Sequence, residues 1–223
     1  VYLMLADHLS FSNGFAEAEK WFRGNESSET LQVARILLLM DRIENAETSP
    51  SEVIRKRAEE TLKNVSEKFP ENSALGRYLL ERAAAKFQLD EFPSLLKRYS
   101  AAVEEDSVLC RYQGWYYART GKISQAEKWL RRSLELYKMD WHTWHELAGV
   151  LRQSEKLEEA EAAAEIALIG KALRKELVQL PTANDVTPDL LMQVREFAIQ
   201  VGEEEIAKQI GHRLASISLM NLE

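Results

Sequence analysis

The stretch that decides the fold is SQAEKWLRRSL, residues 124–134, because related stretches recur along the chain at a regular distance. Its alanine, Ala126, corresponds to Ala160 in EEAEAAAEIAL, and this interval defines a period of about 34 residues. Ala58, in KRAEETLKNV, precedes Ala126 by two such periods, and a further copy, AEKWFR, begins at Ala18. The interval from Ala18 to Ala58 exceeds one period by a short surplus, which falls in IENAETSPSE, a polar segment with proline that predicts an expanded loop. Self-similarity at such a period indicates a repeat architecture.

The composition predicts an all-α protein. The chain has 223 residues, of which 45% are hydrophobic, while glycine and proline number only 9 and 5. Glutamate, lysine, leucine and alanine dominate, and they form long amphipathic stretches of helical period. The formal net charge of -7 argues against a general nucleic-acid-binding protein, which needs a basic face. No stretch approaches the roughly 18 apolar residues that a membrane-spanning helix requires.

The recurring alanine also allows every residue to be numbered by its position within the repeat. With Ala160 at position twenty, Trp144 falls at position four. Leu147, Ala148 and Leu151 fall at positions seven, eight and eleven, on the same stripe of a helix. In spacing and residue types the chain resembles the tetratricopeptide repeat family. The resemblance implies antiparallel helix hairpins that stack into a right-handed superhelical solenoid, with the first helix of each hairpin on the concave face.

This register divides the chain, taken as one domain of residues 1–223, into about six repeats. The third repeat departs from the pattern at Gly76, where an aromatic residue is expected. The last repeat is degenerate and follows a break in register at LVQLPTANDVT, and its charged final helix suits a capping role. The predicted segments are a repeat at 1–32, one at 33–72 that contains the loop insertion, repeats at 73–106, 107–140 and 141–174, a linker at 175–187, and the capping repeat at 188–221.

The segment WHTWHELAG, residues 141–149, raises the question of a metal site, because His142 and His145 would project from one face of a helix. A zinc site needs a third ligand and groups that orient the ligands, and the HExxH pattern is not present. Trp144 is interpreted as a core residue. Cys110 lies at position four of its repeat, on an apolar stripe, and is also expected in the core. We therefore expect no metal, no cofactor and no enzymatic activity.

The concave face is where the register predicts binding residues. Arginine, tyrosine and tryptophan recur at groove positions of the middle repeats, although the chain is acidic overall. Arginine binds carboxylate or phosphate groups, and the aromatic residues add apolar contact area. The groove therefore suits a peptide with acidic and apolar or aromatic side chains, or a free carboxyl terminus. Alternatively, the tyrosines pack between helices and the arginines pair with neighbouring acidic residues. The predicted groove residues are Arg77, Tyr78, Arg111, Tyr112, Trp115, Arg119, His142, His145 and Arg152.

Stacked repeats build a long surface rather than a closed pocket, which favours a non-enzymatic interaction scaffold or adaptor that binds a partner peptide or protein domain. A second interpretation is a regulatory or self-association domain of a larger multidomain protein. A third, a metal-binding or catalytic protein, would use His142 and His145. The single cysteine excludes an internal disulfide and fits a reducing compartment such as the cytoplasm.

Overall fold

The architecture is α-helical throughout the part of the chain that the structure describes. The structure is a computed structural model that describes residues 28–46, 50–181 and 185–220. No β-strand occurs among these residues, which confirms the predicted all-α class. The first predicted repeat, 1–32, lies almost wholly outside them. The described helices are α1 (Glu29–Glu44), α2 (Glu52–Lys68), α3 (Ser73–Ala85), α4 (Phe92–Arg98), α5 (Ser100–Val103), α6 (Ser107–Arg119), α7 (Ile123–Leu136), α8 (Trp141–Gln153), α9 (Leu157–Leu177), α10 (Pro188–Gln200) and α11 (Glu204–Met220).

The residue just before each of the three middle repeats caps the first helix of that repeat. Asn72, Asp106 and Asp140 follow one another at one repeat period and precede α3, α6 and α8. Their side-chain oxygens accept hydrogen bonds from the first backbone N–H groups of these helices, as Asp106 does from Val108 at 3.0 Å. Such a cap stabilises a helix by about 1 kcal/mol. The repeat period is therefore present in the hydrogen bonds as well as in the sequence.

The turn inside each hairpin recurs with the same period. Phe87, Gly121 and Glu155 have positive φ angles of 53°, 75° and 60°, and they occupy equivalent places in successive repeats. At each turn the next residue's N–H donates to a carbonyl five residues earlier, as Lys156 does to Leu151 at 3.0 Å. This left-handed helix ending favours glycine, because a Cβ is strained there. Phe87 and Glu155 therefore carry backbone strain that Gly121 does not.

Replacing Glu155 with glycine is expected to raise the free energy of unfolding by about 0.5–1 kcal/mol. The left-handed conformation is unfavourable for a residue with a Cβ, and the greater freedom of glycine in the unfolded chain offsets only part of the relief. Urea denaturation followed by circular dichroism would measure the change. Glu165→Gly, at an exposed site within α9, is the control and should lower the free energy of unfolding by about 1 kcal/mol. Equal losses at both sites would contradict the strain at Glu155.

The chain divides into two compact units between Val103 and Glu104. In the first unit α1 packs on α2 and α3, and α3 packs on α4. In the second unit α7 packs on both α6 and α8, and α8 packs on α9, so successive hairpins share one core. None of the described helices has the length and apolarity needed to cross a lipid bilayer.

Small residues mark the places where helices approach closely. In the second unit, a Cβ added to Gly114 would lie 2.7 Å from Cγ of Leu130 and 3.1 Å from the carbonyl oxygen of Ala126. Gly114 and Ala126 thus occupy the close contact that positions eight and twenty predict. In the first unit, a Cβ on Gly76 would lie 2.8 Å from Cγ of the buried Tyr99. The Tyr99 ring therefore takes the space beside Gly76, where the repeat pattern expects an aromatic residue.

The last described hairpin, α10–α11, departs from the repeat period. Thr187 caps α10 and follows the cap of α8, Asp140, by clearly more than one period. The longer spacing arises partly because α9 continues to Leu177 and so enters the segment predicted as a linker. Leu190 and Phe197 of α10 pack in a core cluster with the C-terminal part of α9. The hairpin is therefore seated on the extension of α9.

Lys138, in the turn between α7 and α8, connects this hairpin to the regular repeats. Its Nζ donates a hydrogen bond to the carbonyl of Gly202 at 2.8 Å, and its backbone N–H donates to Oε1 of Glu203 at 3.1 Å. Gly202 and Glu203 lie in the turn between α10 and α11. Two turns that are far apart in sequence are thus in direct contact.

Candidate functional site

Helix α8 carries the WHTWHELAG segment, and Trp144 fixes this helix in the core. The indole N–H of Trp144 donates to the carbonyl of Lys138 at 2.6 Å. Its ring packs against two core clusters of the second unit, one formed by α7, α8 and α9 and the other by α9 and α10. Trp144 is thus a core residue, as predicted.

A largely buried polar network beside the start of α8 includes Arg111, one of the predicted groove residues. Arg111 Nη1 donates to both carboxylate oxygens of Asp140, at 3.1 and 3.0 Å, and the two side chains are 13% and 10% exposed. Asp140 also accepts a hydrogen bond from Oγ1 of Thr143 at 2.7 Å, and Thr143 contacts Oγ of Ser133 at 3.0 Å. Because its charge is already balanced within the fold, Arg111 has little to offer a partner.

The predicted aromatic residues of the second unit are mostly covered. Tyr112 and Trp115 are each 8% exposed. The guanidinium group of Arg111 lies 5.0 Å from the ring centroid of Tyr112, and that of Arg119 lies 4.5 Å from the centroid of Trp115. Cation–π contacts of this kind stabilise the arginine side chain in a defined position. The two rings therefore support the arginines more than they offer a contact surface.

A cavity of about 280 Å³ lies between the C-terminal parts of α6 and α8. We call it the α6–α8 cavity. Arg119 Nη1 forms an ion pair with Oε2 of Glu146 at 2.5 Å on its wall. Arg152 is exposed, and its side chain forms no hydrogen bond or ion pair within the described part of the chain. His145 is also exposed. The residues that line the cavity are Ala118, Arg119, His145, Glu146, Gly149, Val150, Arg152 and Gln153.

The remaining predicted residues lie outside the α6–α8 cavity. His142 is exposed, and its ring stacks on Trp141 with the centroids 3.6 Å apart. Desolvation lowers the pKa of His142, and the neighbouring Arg111 lowers it further. In the first unit, Arg77 is exposed on α3 and Tyr78 lines a different cavity. The structure therefore brings three of the nine predicted residues together in the α6–α8 cavity.

Five residues of the cavity wall were not among the predicted groove residues, and two of them, Glu146 and Gly149, shape the site. Glu146 holds Arg119 and reduces the positive charge that a ligand would meet. Gly149 leaves the wall open, because a Cβ built there would meet no atom within 4 Å. The repeat positions of these two residues could have indicated them. Glu146 and Gly149 fall at positions six and nine, which Tyr112 and Trp115 occupy in the neighbouring repeat.

The described residues contain no group of three or more histidine, cysteine, aspartate or glutamate side chains placed to hold a metal ion. Cys110 is fully buried, and burial raises the pKa of its thiol to about 12. A thiol with this pKa is protonated at neutral pH, which argues against a nucleophilic role.

Residues 52–179 match the family model described as anaphase promoting complex subunit 8 / Cdc23. The match covers more than half of the chain, begins at the first residue of α2 and ends just after α9. It therefore includes the whole α6–α8 cavity. A search of curated proteins found no match to the chain.

Proposed function

Because the chain belongs to the anaphase promoting complex subunit 8 / Cdc23 family, we propose that it is a non-enzymatic interaction subunit that holds an acidic segment of a partner protein in the α6–α8 cavity. The family description names a subunit of a complex, and a protein of that kind works through its contacts with other proteins. Stacked helix hairpins present long surfaces for such contacts.

The observation that carries the proposal is the exposed guanidinium group of Arg152 beside an open stretch of helix. Arg152 and His145 flank Gly149 on α8, and all three line the same cavity. Arg152 has its full set of guanidinium donors available, and these match the geometry of a carboxylate. The missing side chain at Gly149 lets the backbone of a bound segment approach the helix.

Arg119 has a secondary part in this proposal. Its guanidinium is paired with Glu146 and rests on the ring of Trp115. A ligand carboxylate must compete with Glu146 for Arg119, so its attraction there is weaker than at Arg152. We therefore expect substitution of Arg152 to weaken binding most, substitution of His145 less, and substitution of Arg119 least.

Arg152→Glu is expected to weaken binding of an acidic peptide by about tenfold, which corresponds to about 1.4 kcal/mol. The probe is a fluorescein-labelled peptide of eight glutamates with one tyrosine, and its Kd is read by fluorescence anisotropy. Because the attraction is electrostatic and exposed, the affinity of the wild-type protein should fall as sodium chloride rises from about 50 to about 500 mM. Lys128→Glu, an equal charge change at an exposed site of α7, is the matched control and should leave the Kd unchanged.

The same three proteins then serve as baits for partner capture from cell lysate, read by mass spectrometry. A partner retained by the wild type and by Lys128→Glu but lost with Arg152→Glu would support the cavity as its binding site. Equal capture by all three proteins, together with equal peptide Kd values, would overturn the assignment of the α6–α8 cavity.

A further inference from the structure

A second and larger cavity lies in the first unit. Helices α1, α2 and α3 surround a space of about 560 Å³, which we call the α1–α3 cavity. This volume falls within the range of roughly 300–1,000 Å³ that is common for ligand sites. Leu37, Met40 and Ile43 of α1 and Ala85 of α3 give it an apolar wall. Four carboxylates and three cations form its rim, an excess of one negative charge: Asp41, Glu44, Glu59, Glu81, Arg55, Arg82 and Lys86. A long side chain with an apolar stem and a charged end suits this combination.

Most charges on the rim are already balanced within the fold. Arg82 donates to both carboxylate oxygens of Glu59, at 2.8 Å from Nη1, and its Nε lies 3.4 Å from Glu44. The hydroxyl of Tyr78 also donates to Glu44, at 2.9 Å. The hydrogen bonds from Arg82 lower the pKa of Glu59, as expected for a paired carboxylate.

Asp41 differs, because no cation of the described residues pairs with it. Its carboxylate accepts a hydrogen bond from Nδ2 of Asn45 at 2.7 Å. Desolvation raises the pKa of Asp41, the hydrogen bond from Asn45 offsets part of the rise, and the neighbouring charge of Glu44 adds to it. A cation placed between Asp41 and Glu44 would be attracted by both carboxylates.

The α1–α3 cavity and the α6–α8 cavity are lined by residues at equivalent positions of the repeat. Tyr78, Glu81 and Ala85 of α3 line the first, and the residues two repeat periods later, on α8, line the second. These residues of α8 are Glu146, Gly149 and Gln153. The same three positions of the repeat therefore face a cavity in both units, with different chemistry in each.

We propose that the α1–α3 cavity is a second binding site, which takes the arginine side chain of a partner segment. The methylene stem lies along Leu37 and Met40, and the guanidinium group donates to Asp41 and to Glu44, which it shares with Arg82 and Tyr78. Arginine fits better than lysine because its planar fork can reach two carboxylates at once. This site does not depend on the α6–α8 cavity, since it lies in the other unit and selects the opposite charge.

The test uses the full chain with ¹³C-labelled methionine methyl groups, because Met40 is 1% exposed, lines the cavity and is one of only five methionines. The probes are the N-acetyl methylamides of arginine, lysine, norleucine and glutamate, titrated into the protein by NMR. We expect the arginine probe to shift the Met40 signal saturably with a millimolar Kd. Asp41→Asn should weaken this binding about fivefold, the size of effect typical of a partly exposed ion pair.

Asp90→Asn is the matched control, since Asp90 is an exposed aspartate of the same unit outside the cavity, and it should leave the Kd unchanged. Unchanged methyl signals in the probe-free variants establish that both are folded. An equal response to norleucine would make the cavity a nonspecific apolar site and overturn the proposal. A preference for the glutamate probe, a Kd that is the same in Asp41→Asn, or no shift of Met40 at any probe concentration would overturn it as well.

Discussion

Replacing Asp140 with alanine is expected to lower the free energy of unfolding by about 3–5 kcal/mol. The substitution removes the cap of α8 and leaves the guanidinium of Arg111 with no counter-ion in a position that is only 13% exposed. It also removes the acceptor of Thr143 Oγ1. A buried charge that loses its partner is one of the few causes of so large a loss from one side chain. Urea denaturation followed by circular dichroism would measure it.

Asp140→Asn separates the two contributions of the aspartate. Asparagine caps helices as well as aspartate does, so this variant keeps the cap and loses only the charge opposite Arg111. We expect its loss to fall between those of the wild type and Asp140→Ala. If Asp140→Ala costs no more than the roughly 1 kcal/mol of an ordinary cap, the ion pair with Arg111 does not contribute to stability.

Replacing Trp144 with alanine is expected to cost about 3–5 kcal/mol. The indole packs on both core clusters of the second unit, so its removal opens a cavity where two hairpins meet. Thermal unfolding followed by circular dichroism would show the loss as a lower melting temperature. Trp144→Phe is the control, because it keeps an aromatic ring in the core and loses the hydrogen bond to the carbonyl of Lys138. We expect about 1 kcal/mol for this variant, and equal effects of phenylalanine and alanine would contradict a packing role.

The ion pair between Arg111 and Asp140 also bears on how binding should be tested. Arg111 is a natural choice for charge reversal when only the sequence is considered, because it falls at a groove position of an acidic chain. A glutamate at this site would face Asp140 within a largely buried network. Loss of binding in such a variant would report loss of the fold. Arg152 avoids this problem because it is exposed and unpaired within the described residues.

Much of the fold could be predicted because the repeat requires small residues where two helices pack closely. Gly114 and Ala126 lie where two helix backbones meet, and only small residues fit there. Such positions recur once in every repeat period, so a single sequence contains several independent copies of the same signal. The caps Asn72, Asp106 and Asp140 carry the same period and would have strengthened the prediction.

The candidate site could be predicted less completely, because position on a helix does not decide exposure. Helix α6 is apolar around much of its circumference, and Leu109, Cys110, Tyr112 and Trp115 are all buried. A helix of this kind has no clear polar face, so its sequence does not show which side chains are exposed in a groove. The pairing of Arg111 with Asp140 joins residues 29 positions apart in different hairpins, and nothing in the local sequence indicates it.

The contact between Lys138 and the turn at Gly202 and Glu203 changes how the second unit responds to force. In a regular array of repeats, tension on the last hairpin passes through each preceding turn in sequence, and the end peels away first. Here the chain from Lys138 to Gly202 is a loop closed by hydrogen bonds at its two ends. We therefore expect a pull on α11 to reach the turn before α8 directly, through these two hydrogen bonds, and the last hairpin to detach together with α8 rather than first.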